Sequence, residues 1–315
     1  MTQPAIQVQD LCKQYGSVLA VDHVSFRVQP GELVGFLGQN GAGKTTTMRI
    51  LTTFMPASKG YAWVAGYDVM SQSMDVRRHL GYLPESVPLY PEMRVEEYLR
   101  YRAQLKQVDR AVRTKRIDYC LEKCRIKEVR RRLLTTLSKG YRQRVGLADA
   151  MIAEPPVLIL DEPLTGLDPI QQEETLNAIR DLRGKHTVLF SSHHLPDVEK
   201  VCERVIIIDR GMVKYDENLS VIATTAPVLV LEVRGATDAV LELLRRQPGV
   251  TEAKATGSAD GVHAYDVRTA EGKDLREPIA RALVEKGYGV RRVDLRRAKL
   301  EDVFMRVAFR RGEAS

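Results

Sequence analysis

The chain has 315 residues, a length that favours one large domain followed by a smaller one. Hydrophobic residues make up 44% and charged residues 28% of the sequence, so a sizeable core and an ordinary globular composition are expected. No apolar run approaches the ~18 residues that a membrane-spanning helix needs, and Met1–Asp10 has no basic start followed by an apolar stretch, so we expect a protein kept in the cytoplasm.

The basic excess of the sequence is concentrated in one segment. The formal net charge is +7, and much of it comes from ten cations in segment 110–132: Arg110, Arg113, Lys115, Arg116, Lys123, Arg125, Lys127, Arg130, Arg131 and Arg132. Such a surface can bind nucleic acid or anionic lipid heads, but a solvated helical face is more frequent. Tyr119 is the single aromatic residue among these cations, so no specific nucleic-acid partner is expected.

The four cysteines are scattered through the sequence and include no CxxC pair: Cys12, Cys120, Cys124 and Cys202. No four-ligand set with zinc spacing can be assembled from them. Cys120 and Cys124 stand one helical turn apart, and we expect them to be reduced thiols on a helix.

The first elements along the chain are predicted from alternating apolar patterns and from turn signals at Gly16 and Pro30–Gly31. An apolar strand runs directly into a glycine-rich stretch, and a helix is predicted after that stretch. The predicted elements in this part are strands 5–10, 18–28, Glu32–Leu37 and 61–69, with a helix over Thr46–Phe54.

From about Pro91 to Leu137 the residues are long, charged and spaced as in helices, for example in Val95–Gln107 and Arg113–Cys124. This pattern indicates a helical insertion at about residues 86–136. Strands and helices alternate after it, which is typical of a largely parallel sheet. The predicted order is strand Val157–Leu160, helix Gln171–Arg183, strand Thr187–Ser191, helix Leu195–Cys202 and strand Arg204–Ile208.

The chain restarts around Thr224–Pro227, and we place a domain boundary near residue 224, giving domains 1–224 and 225–315. The second domain has the order β-α-β-β-α-β, the split arrangement of a ferredoxin-like fold. A five-residue turn at 257–261 and a last helix over Leu300–Ala308 are also predicted. The six elements are Val228–Arg234, Asp238–Arg246, Val250–Thr256, Val262–Thr269, Leu275–Lys286 and Val290–Leu295.

A complete phosphate-binding pattern, G-x-x-x-x-G-K-[ST], lies between the strand ending at Leu37 and the helix that follows it. Its glycines allow backbone N–H groups to curl around anionic oxygens, and the helix N-terminus adds a positive dipole. The lysine is expected to reach the β- and γ-phosphates, and the threonine hydroxyl to reach Mg²⁺. We call this segment the phosphate loop: Gly38-Gln39-Asn40-Gly41-Ala42-Gly43-Lys44-Thr45.

Two carboxylates follow the buried strand Val157–Leu160. Since carboxyl ends of parallel strands meet at one edge of a sheet, Asp161 and Glu162 are expected beside the phosphates. Asp161 is predicted to hold the metal through water, and Glu162 to polarise the water that attacks the γ-phosphate.

Between these two motifs, the sequence resembles the LSGGQ-x-x-R signature of ABC-type ATPases, and further family elements occur in the expected order across residues 4–220. The matching segments are Tyr15 as the aromatic that stacks on adenine, Glu85 at the Q-loop, Leu137-Ser138-Lys139-Gly140-Tyr141-Arg142-Gln143-Arg144 as the signature, Thr165-Gly166-Leu167-Asp168-Pro169 as the D-loop, and Ser191-Ser192-His193 as the switch-histidine segment.

The resemblance implies an α/β fold, in which a P-loop ABC-type ATPase domain (a mixed sheet with a phosphate-loop core, plus a helical subdomain) precedes a small α+β ferredoxin-like domain. It implies ATP and Mg²⁺ as ligands, with Thr46 and the phosphate loop around the nucleotide, and Thr45, Asp161 and Glu85 around the metal. It also implies a head-to-tail dimer, in which Ser138 and Gly140 serve the partner's ATP and the Asp168 loop lies at the interface. His193 would sense the γ-phosphate.

Three residues depart from the family pattern: Glu85 replaces a glutamine, Lys139 a glycine, and Tyr141 the signature glutamine. An acid at position 85 still reaches Mg²⁺ or water, but it adds negative charge beside the nucleotide. The Leu-Pro-Glu loop, the relaxed signature and the C-terminal extension with its Leu300–Phe304 motif resemble a subgroup that pairs with separate membrane subunits. Members of that subgroup export drugs, polysaccharides, lipids or ions, or belong to gliding-motility systems.

We therefore predict a transporter motor in which Lys44, Glu162 and His193 are the catalytic residues, bound peripherally to the cytoplasmic face of the membrane through a separate permease subunit. Two copies of this chain complete both composite sites, which favours a homodimer. A soluble ABC-type ATPase acting on ribosomes or DNA is the alternative, but there is one phosphate loop and no long heptad run. The intact Lys44, Asp161, Glu162 and His193 set argues against a regulator that does not hydrolyse ATP.

Overall fold

The computed structural model describes residues 3–224, 228–235, 237–270 and 274–296, together with Leu300, Glu301 and Phe304. Contacts between residues divide the chain into two compact units, Met1–Asn218 and Leu219–Ser315. Within the described residues, no helix has the length and apolar character needed to cross a bilayer.

The first unit alternates strands and helices along most of its length. Its elements are β1 (Ile6–Tyr15), β2 (Val18–Val28), β3 (Leu33–Leu37), α1 (Lys44–Leu51), β4 (Lys59–Val64), β5 (Tyr67–Asp68), α2 (Ser73–His79), β6 (Leu80–Leu83), α3 (Val95–Leu105), α4 (Arg110–Lys123), α5 (Lys139–Met151), β7 (Val157–Leu160), α6 (Pro169–Arg180), β8 (Thr187–Ser192), α7 (Leu195–Val201), β9 (Arg204–Asp209) and β10 (Met212–Asn218).

Six strands form the central sheet in the order β10-β9-β3-β8-β7-β6. All neighbours are parallel except the β10–β9 pair. Every residue of β3, β7 and β8 is buried, as expected for parallel strands that are covered on both faces. The prediction of a largely parallel sheet is confirmed, and the carboxyl ends of β3, β8, β7 and β6 lie side by side.

A second, antiparallel sheet has the order β2-β1-β4-β5 and shares an apolar core with the central sheet, where the rings of Phe26 and Phe36 lie 5.5 Å apart. The single strand predicted over 61–69 is wrong. Ala65 and Gly66 both have positive φ (51° and 85°), and they turn the chain back between β4 and β5. Four elements of the first unit were given no range in the predictions: α2, β6, α5 and β10.

The segment after β6 is helical. The buried residues of α3 and α4 include Tyr98, Leu99, Ile117 and Leu121, and both helices pack on α5. Several cations of segment 110–132 form ion pairs, such as Arg116 with Glu154 at 3.0 Å and Arg130 with Glu96 at 3.0 Å. Neighbouring carboxylates therefore match part of the charge of this basic segment.

The elements of the second unit are α8 (Leu219–Thr224), β11 (Val228–Arg234), α9 (Thr237–Arg245), β12 (Val250–Ala259), β13 (Val262–Thr269), α10 (Arg276–Glu285) and β14 (Gly289–Arg296). Its antiparallel sheet has the strand order β12-β13-β11-β14, which is that of a ferredoxin-like fold. Its apolar core includes residues of both α9 and α10 together with inward-facing strand residues. Together with the first unit, this order confirms the predicted fold class.

The turn between β12 and β13 is shorter than the predicted 257–261. Only Asp260 and Gly261 lie between the strands, with φ of 51° and 72°, as in a two-residue hairpin turn. Leu300, Glu301 and Phe304 are helical, and the rest of the predicted helix Leu300–Ala308 lies outside the described residues. Part of the predicted restart at Thr224–Pro227 also lies outside them.

Candidate functional site

The phosphate loop connects β3 to α1 at the carboxyl edge of the central sheet. Gly41 and Gly43 have φ of 80° and 105°, values that side chains with a Cβ rarely adopt. A Cβ on Gly43 would lie 2.5 Å from the carbonyl oxygen of Ala20 in β2, and a Cβ on Gly38 would collide with the carbonyl oxygen of Ile208. The loop therefore requires glycine for its backbone path and for its close approach to both neighbours.

The side chain of Lys44 lies inside this loop and is only 5% exposed. Its ammonium donates to the carbonyl oxygens of Gly38 at 2.7 Å and Gln39 at 3.2 Å. It also lies 3.3 Å from Oε1 of Glu162, so a strand-end carboxylate and the loop lysine form a buried ion pair. The charge of Lys44 is thereby held where an anion cradled by the loop would meet it.

Asp161, at the end of β7, is almost completely buried. Its Oδ1 accepts hydrogen bonds from Oγ of Ser191 at 2.8 Å and from Oγ1 of Thr45 at 3.3 Å. Burial raises the pKa of Asp161 above its usual range, and these two hydroxyl groups act in the opposite direction. A buried carboxylate beside a threonine hydroxyl forms the hard oxygen donor set that suits Mg²⁺.

Glu162 is held by side chains from three different segments. His193 Nδ1 lies 2.8 Å from its Oε2, Thr165 Oγ1 donates to the same oxygen at 3.1 Å, and Lys44 faces Oε1. The Glu162 backbone has φ of 47°, a left-handed conformation that is costly for a residue with a side chain. The turn after β7 thus aims this carboxylate at the phosphate loop.

These groups surround a cavity of about 330 Å³. The cavity joins the phosphate loop to the residues that follow β6, β7 and β8, so strand ends that are far apart in sequence meet in one place. Gly38, Ala42 and Asp161 do not line the cavity. Asp161 accepts a hydrogen bond from Thr45, which does line it. The lining residues are Ala20, Gln39, Asn40, Gly41, Gly43, Lys44, Thr45, Thr46, Glu85, Glu162, Thr165 and His193.

Tyr15, at the end of β1, lies outside this lining and is 45% exposed. Its hydroxyl lies 3.0 Å from Sδ of Met55, and the Lys13 ammonium lies 5.4 Å from the centre of its ring. The structure therefore places this predicted adenine-stacking ring on an open surface, outside the walls of the phosphate cavity.

Ser138 and Gly140 are also outside the cavity lining, at the start of α5. Ser138 caps that helix by accepting from the Tyr141 N–H at 3.4 Å, and its hydroxyl lies 3.4 Å from Oε1 of Gln171. Asp168 caps α6 by accepting from the Gln171 N–H at 3.0 Å. Within one chain, the signature segment and the Asp168 loop meet each other instead of the phosphate loop.

The unusual Tyr141 has an identifiable structural role. Its hydroxyl donates to Oε1 of Glu128 at 2.9 Å, and its ring lies 4.5 Å from the guanidinium of the buried Arg144. Arg144 in turn donates to the carbonyl oxygen of Arg125 at 2.8 Å and pairs with Glu174 at 2.9 Å. Tyr141 therefore ties α5 to the end of the helical insertion.

Comparison with known proteins agrees with this geometry. A family model described as ABC transporter matches residues 21–165. An uncharacterised ABC transporter ATP-binding protein of Bacillus subtilis, YhaQ, is 31% identical over 95% of this chain and 97% of its own length. The daunorubicin resistance ATP-binding protein DrrA3 of Streptomyces coeruleorubidus is 33% identical over 97% of this chain and 96% of its own. A solved ATP-binding subunit of an ABC transporter has a TM-score of 0.63 at 32% identity, covering 69% of this chain and 91% of that one.

A phosphate loop that lies beside two strand-end acids, at the carboxyl edge of a largely parallel sheet, defines a P-loop nucleotide-hydrolysing protein. The chain belongs to the ABC transporter ATP-binding proteins, as its full-length relatives show. It is an ATP-binding and ATP-hydrolysing subunit of an ABC transporter.

Proposed function

We propose that this chain is the motor of an exporter whose permease is a separate membrane subunit, and that it binds peripherally to the cytoplasmic face of the membrane. The observation that carries the proposal is the cavity in which Lys44, Thr45, Glu85, Glu162 and His193 converge. Export is supported by the relative named for daunorubicin resistance, which aligns over 97% of this chain.

ATP is proposed to lie with its phosphates in the loop, contacted by the backbone of residues 38–45 and by Thr46. Tyr15 would stack on the adenine from the open side of the loop. Thr45, Asp161 and Glu85 would hold Mg²⁺, which neutralises charge on the phosphate oxygens when it is bound. These three side chains fit the metal because all of them offer oxygen donors. Thr45 and Asp161 are already joined by a hydrogen bond of 3.3 Å.

The protein's own groups then divide the work of hydrolysis. When ATP is bound, the Lys44 ammonium leaves Glu162 and contacts the γ-phosphate. Oε1 of Glu162 is then free to accept a proton from water. His193 and Thr165, both on Oε2, keep the carboxylate oriented while this happens. Positioning and charge stabilisation of this kind account for most of the catalysis in phosphoryl transfer.

The active assembly is proposed to be a head-to-tail homodimer. Ser138 and Gly140 lie outside the cavity of their own chain, so they are available to the nucleotide of a second copy. Gln171 links Ser138 to the Asp168 cap, which makes both segments parts of one interface. ATP held between the two copies would close the dimer, and hydrolysis would reopen it.

The permease is proposed to dock in a groove of about 450 Å³ between the central sheet and the helical insertion. Its lining carries four cations, Arg49, Arg77, Arg102 and Lys106. Arg102 and Lys106 pair with the one lining carboxylate, Asp149, at 3.0 and 2.9 Å, and the lining keeps a net positive charge that fits an acidic cytoplasmic helix of the permease. Segment 83–86 lies between this groove and the phosphate cavity. Leu83, Pro84 and Ser86 line the groove, whereas Glu85 lines the cavity.

The test is co-purification from detergent-solubilised membranes, using tagged Glu162→Gln protein with and without MgATP. We expect a polytopic membrane protein to co-purify, and we expect the double variant Arg49→Glu/Arg77→Glu, at two exposed positions of the groove, to lose it while still binding nucleotide. Recovery of ribosomes or DNA without a membrane protein would overturn the transporter assignment and favour the soluble alternative.

A further inference from the structure

One hydroxyl group connects the two acidic residues at the end of β7. Ser191, the fifth residue of β8, has no solvent exposure. Its Oγ donates to Oδ1 of Asp161 at 2.8 Å and accepts the backbone N–H of Glu162 at 2.8 Å. β8 lies beside β7 in the sheet, so the contact spans two neighbouring parallel strands.

The direction of both hydrogen bonds is fixed by chemistry. An amide N–H can only donate, so the serine oxygen must accept from Glu162, and its single proton is then directed to the Asp161 carboxylate. Asp161 therefore receives a donor on the same oxygen that Thr45 approaches. One side chain thus orients a carboxylate and satisfies a buried amide at the same time.

The amide that Ser191 accepts belongs to a residue in a strained conformation. Glu162 has φ of 47°, and such backbone persists only where its surroundings over-determine it. The side chain of Glu162 is held by Lys44, Thr165 and His193, but those contacts act on the carboxylate at the end of a flexible stem. Ser191 acts on the backbone itself, so it determines where that stem begins.

We propose that Ser191 is a positioning residue for hydrolysis, which aims Asp161 at the metal and locks the left-handed turn at Glu162. The inference rests on the proposed roles of those two acids. Partners that orient metal ligands in this way change metal affinity or activity by about 10- to 100-fold when they are removed. The hydroxyl, not the serine backbone, carries the effect.

A buried hydroxyl at the other end of the same strand is a matched control. Thr187, the first residue of β8, is also buried, and its hydroxyl accepts from the Gly31 N–H at 3.0 Å. Ser191→Ala and Thr187→Val therefore each remove one buried hydroxyl that accepts a backbone amide. Ser191→Cys keeps nearly the same volume with a weak donor, and Ser191→Thr keeps the hydroxyl.

Two readouts are measured on the full-length variants: steady-state ATP hydrolysis, and binding of a fluorescent ATP analogue at graded Mg²⁺ concentrations. For Ser191→Ala and Ser191→Cys we expect kcat to fall about 10- to 100-fold with KM for ATP little changed, and the Mg²⁺ midpoint of nucleotide binding to rise several-fold. Ser191→Thr should recover most of kcat, and Thr187→Val should resemble wild type in both readouts.

Equal losses in Ser191→Ala and Thr187→Val, or a wild-type Mg²⁺ midpoint in both Ser191→Ala and Ser191→Cys, would overturn the inference. Should Ser191→Ala fail to fold, the near-isosteric Ser191→Cys decides the question alone. A wild-type protein that binds the nucleotide without hydrolysing it would instead contradict the proposed function, and the Mg²⁺ titration would still test Ser191 separately.

Discussion

The ammonium of Lys44 lies 3.3 Å from Oε1 of Glu162, and both side chains are nearly buried. The cation proposed to bind phosphate and the carboxylate proposed to activate water therefore neutralise each other across the cavity. Since binding of a phosphate would compete for the same ammonium, the pair couples occupation of the loop to release of the carboxylate.

Substituting each member of this pair should give a different kinetic result. Glu162→Gln should lower turnover by about 10²–10⁴-fold with nucleotide binding retained, because a general base contributes that much. Lys44→Ala should weaken nucleotide binding itself. Phosphate release and binding of a fluorescent ATP analogue distinguish the two variants, and a Glu162→Gln protein with more than a tenth of wild-type turnover would contradict the role of Glu162.

Restoring the usual family residue at position 141 should destabilise this chain. Tyr141→Gln removes the hydrogen bond to Glu128 and the ring under Arg144, with an expected loss of about 0.5–1.5 kcal/mol of unfolding free energy. Tyr141→Phe keeps the ring and should lose less. Urea denaturation measures both variants, and a Tyr141→Gln protein as stable as wild type would show that these contacts contribute nothing.

Gly81 in β6 should not tolerate even a methyl group. A Cβ there would lie 2.5 Å from Cδ2 of Leu158 and would collide with the carbonyl oxygen of Ala150. We expect Gly81→Ala to cost about 1–3 kcal/mol by overpacking, measured by urea denaturation. Gly257→Ala, where a Cβ meets nothing within 4 Å, is the control and should change stability by less than about 0.5 kcal/mol.

The buried thiols should be inert in the native protein. Burial raises the pKa of Cys120 to about 12 and raises the pKa values of Cys124 and Cys202 well above their usual range. The reactive thiolate is therefore absent at pH 8 and would form only as the pH approaches these raised values. In a Cys12→Ser variant, Ellman's reagent should find no fast-reacting thiol before unfolding and three after it in urea.

The C-terminal unit is proposed to stabilise the dimer or to regulate it. Since Met1–Asn218 is a compact unit with its own core, a chain ending at residue 224 should fold and bind nucleotide. We expect its ATP-dependent dimerisation, measured by analytical ultracentrifugation in the Glu162→Gln background, to be weaker than that of the full-length protein. Unchanged dimerisation together with unchanged coupled turnover would remove this role.

Much of the first unit could be predicted because its motifs are local. The phosphate loop and the strand Val157–Leu160 were located from adjacent residues, since glycine spacing and an unbroken apolar run carry their own structural meaning. The sequence does not predict the β4–β5 hairpin, because Ala65 has a left-handed backbone conformation that alanine rarely adopts. Edge strands β6 and β10 are short or half-exposed, so their apolar patterns are weak.

The contacts inside the site could not be predicted in the same way. Ser191 stands 30 residues from Asp161, and nothing in the Ser191-Ser192-His193 segment indicates which hydroxyl faces the neighbouring strand. The alternation of side chains along β8 decides it, and that alternation is visible only once the register is known. The position of Tyr15 could not be predicted either, because Tyr15 is the last residue of β1 and its distance from the phosphate loop depends on where that strand ends.

The strands that precede the acidic residues of the site hold different places in the central sheet. β7, which carries Asp161 and Glu162 at its end, is hydrogen-bonded on both sides, whereas β6 is bonded to β7 alone among the described strands. Asp161 and Glu162 thus follow an interior strand of the sheet, whereas Glu85 follows an edge strand, which backbone hydrogen bonds hold on one side only and which we expect to move more easily. A permease bound in the groove, as proposed, should displace Glu85 first and leave in place the two carboxylates proposed to act in hydrolysis.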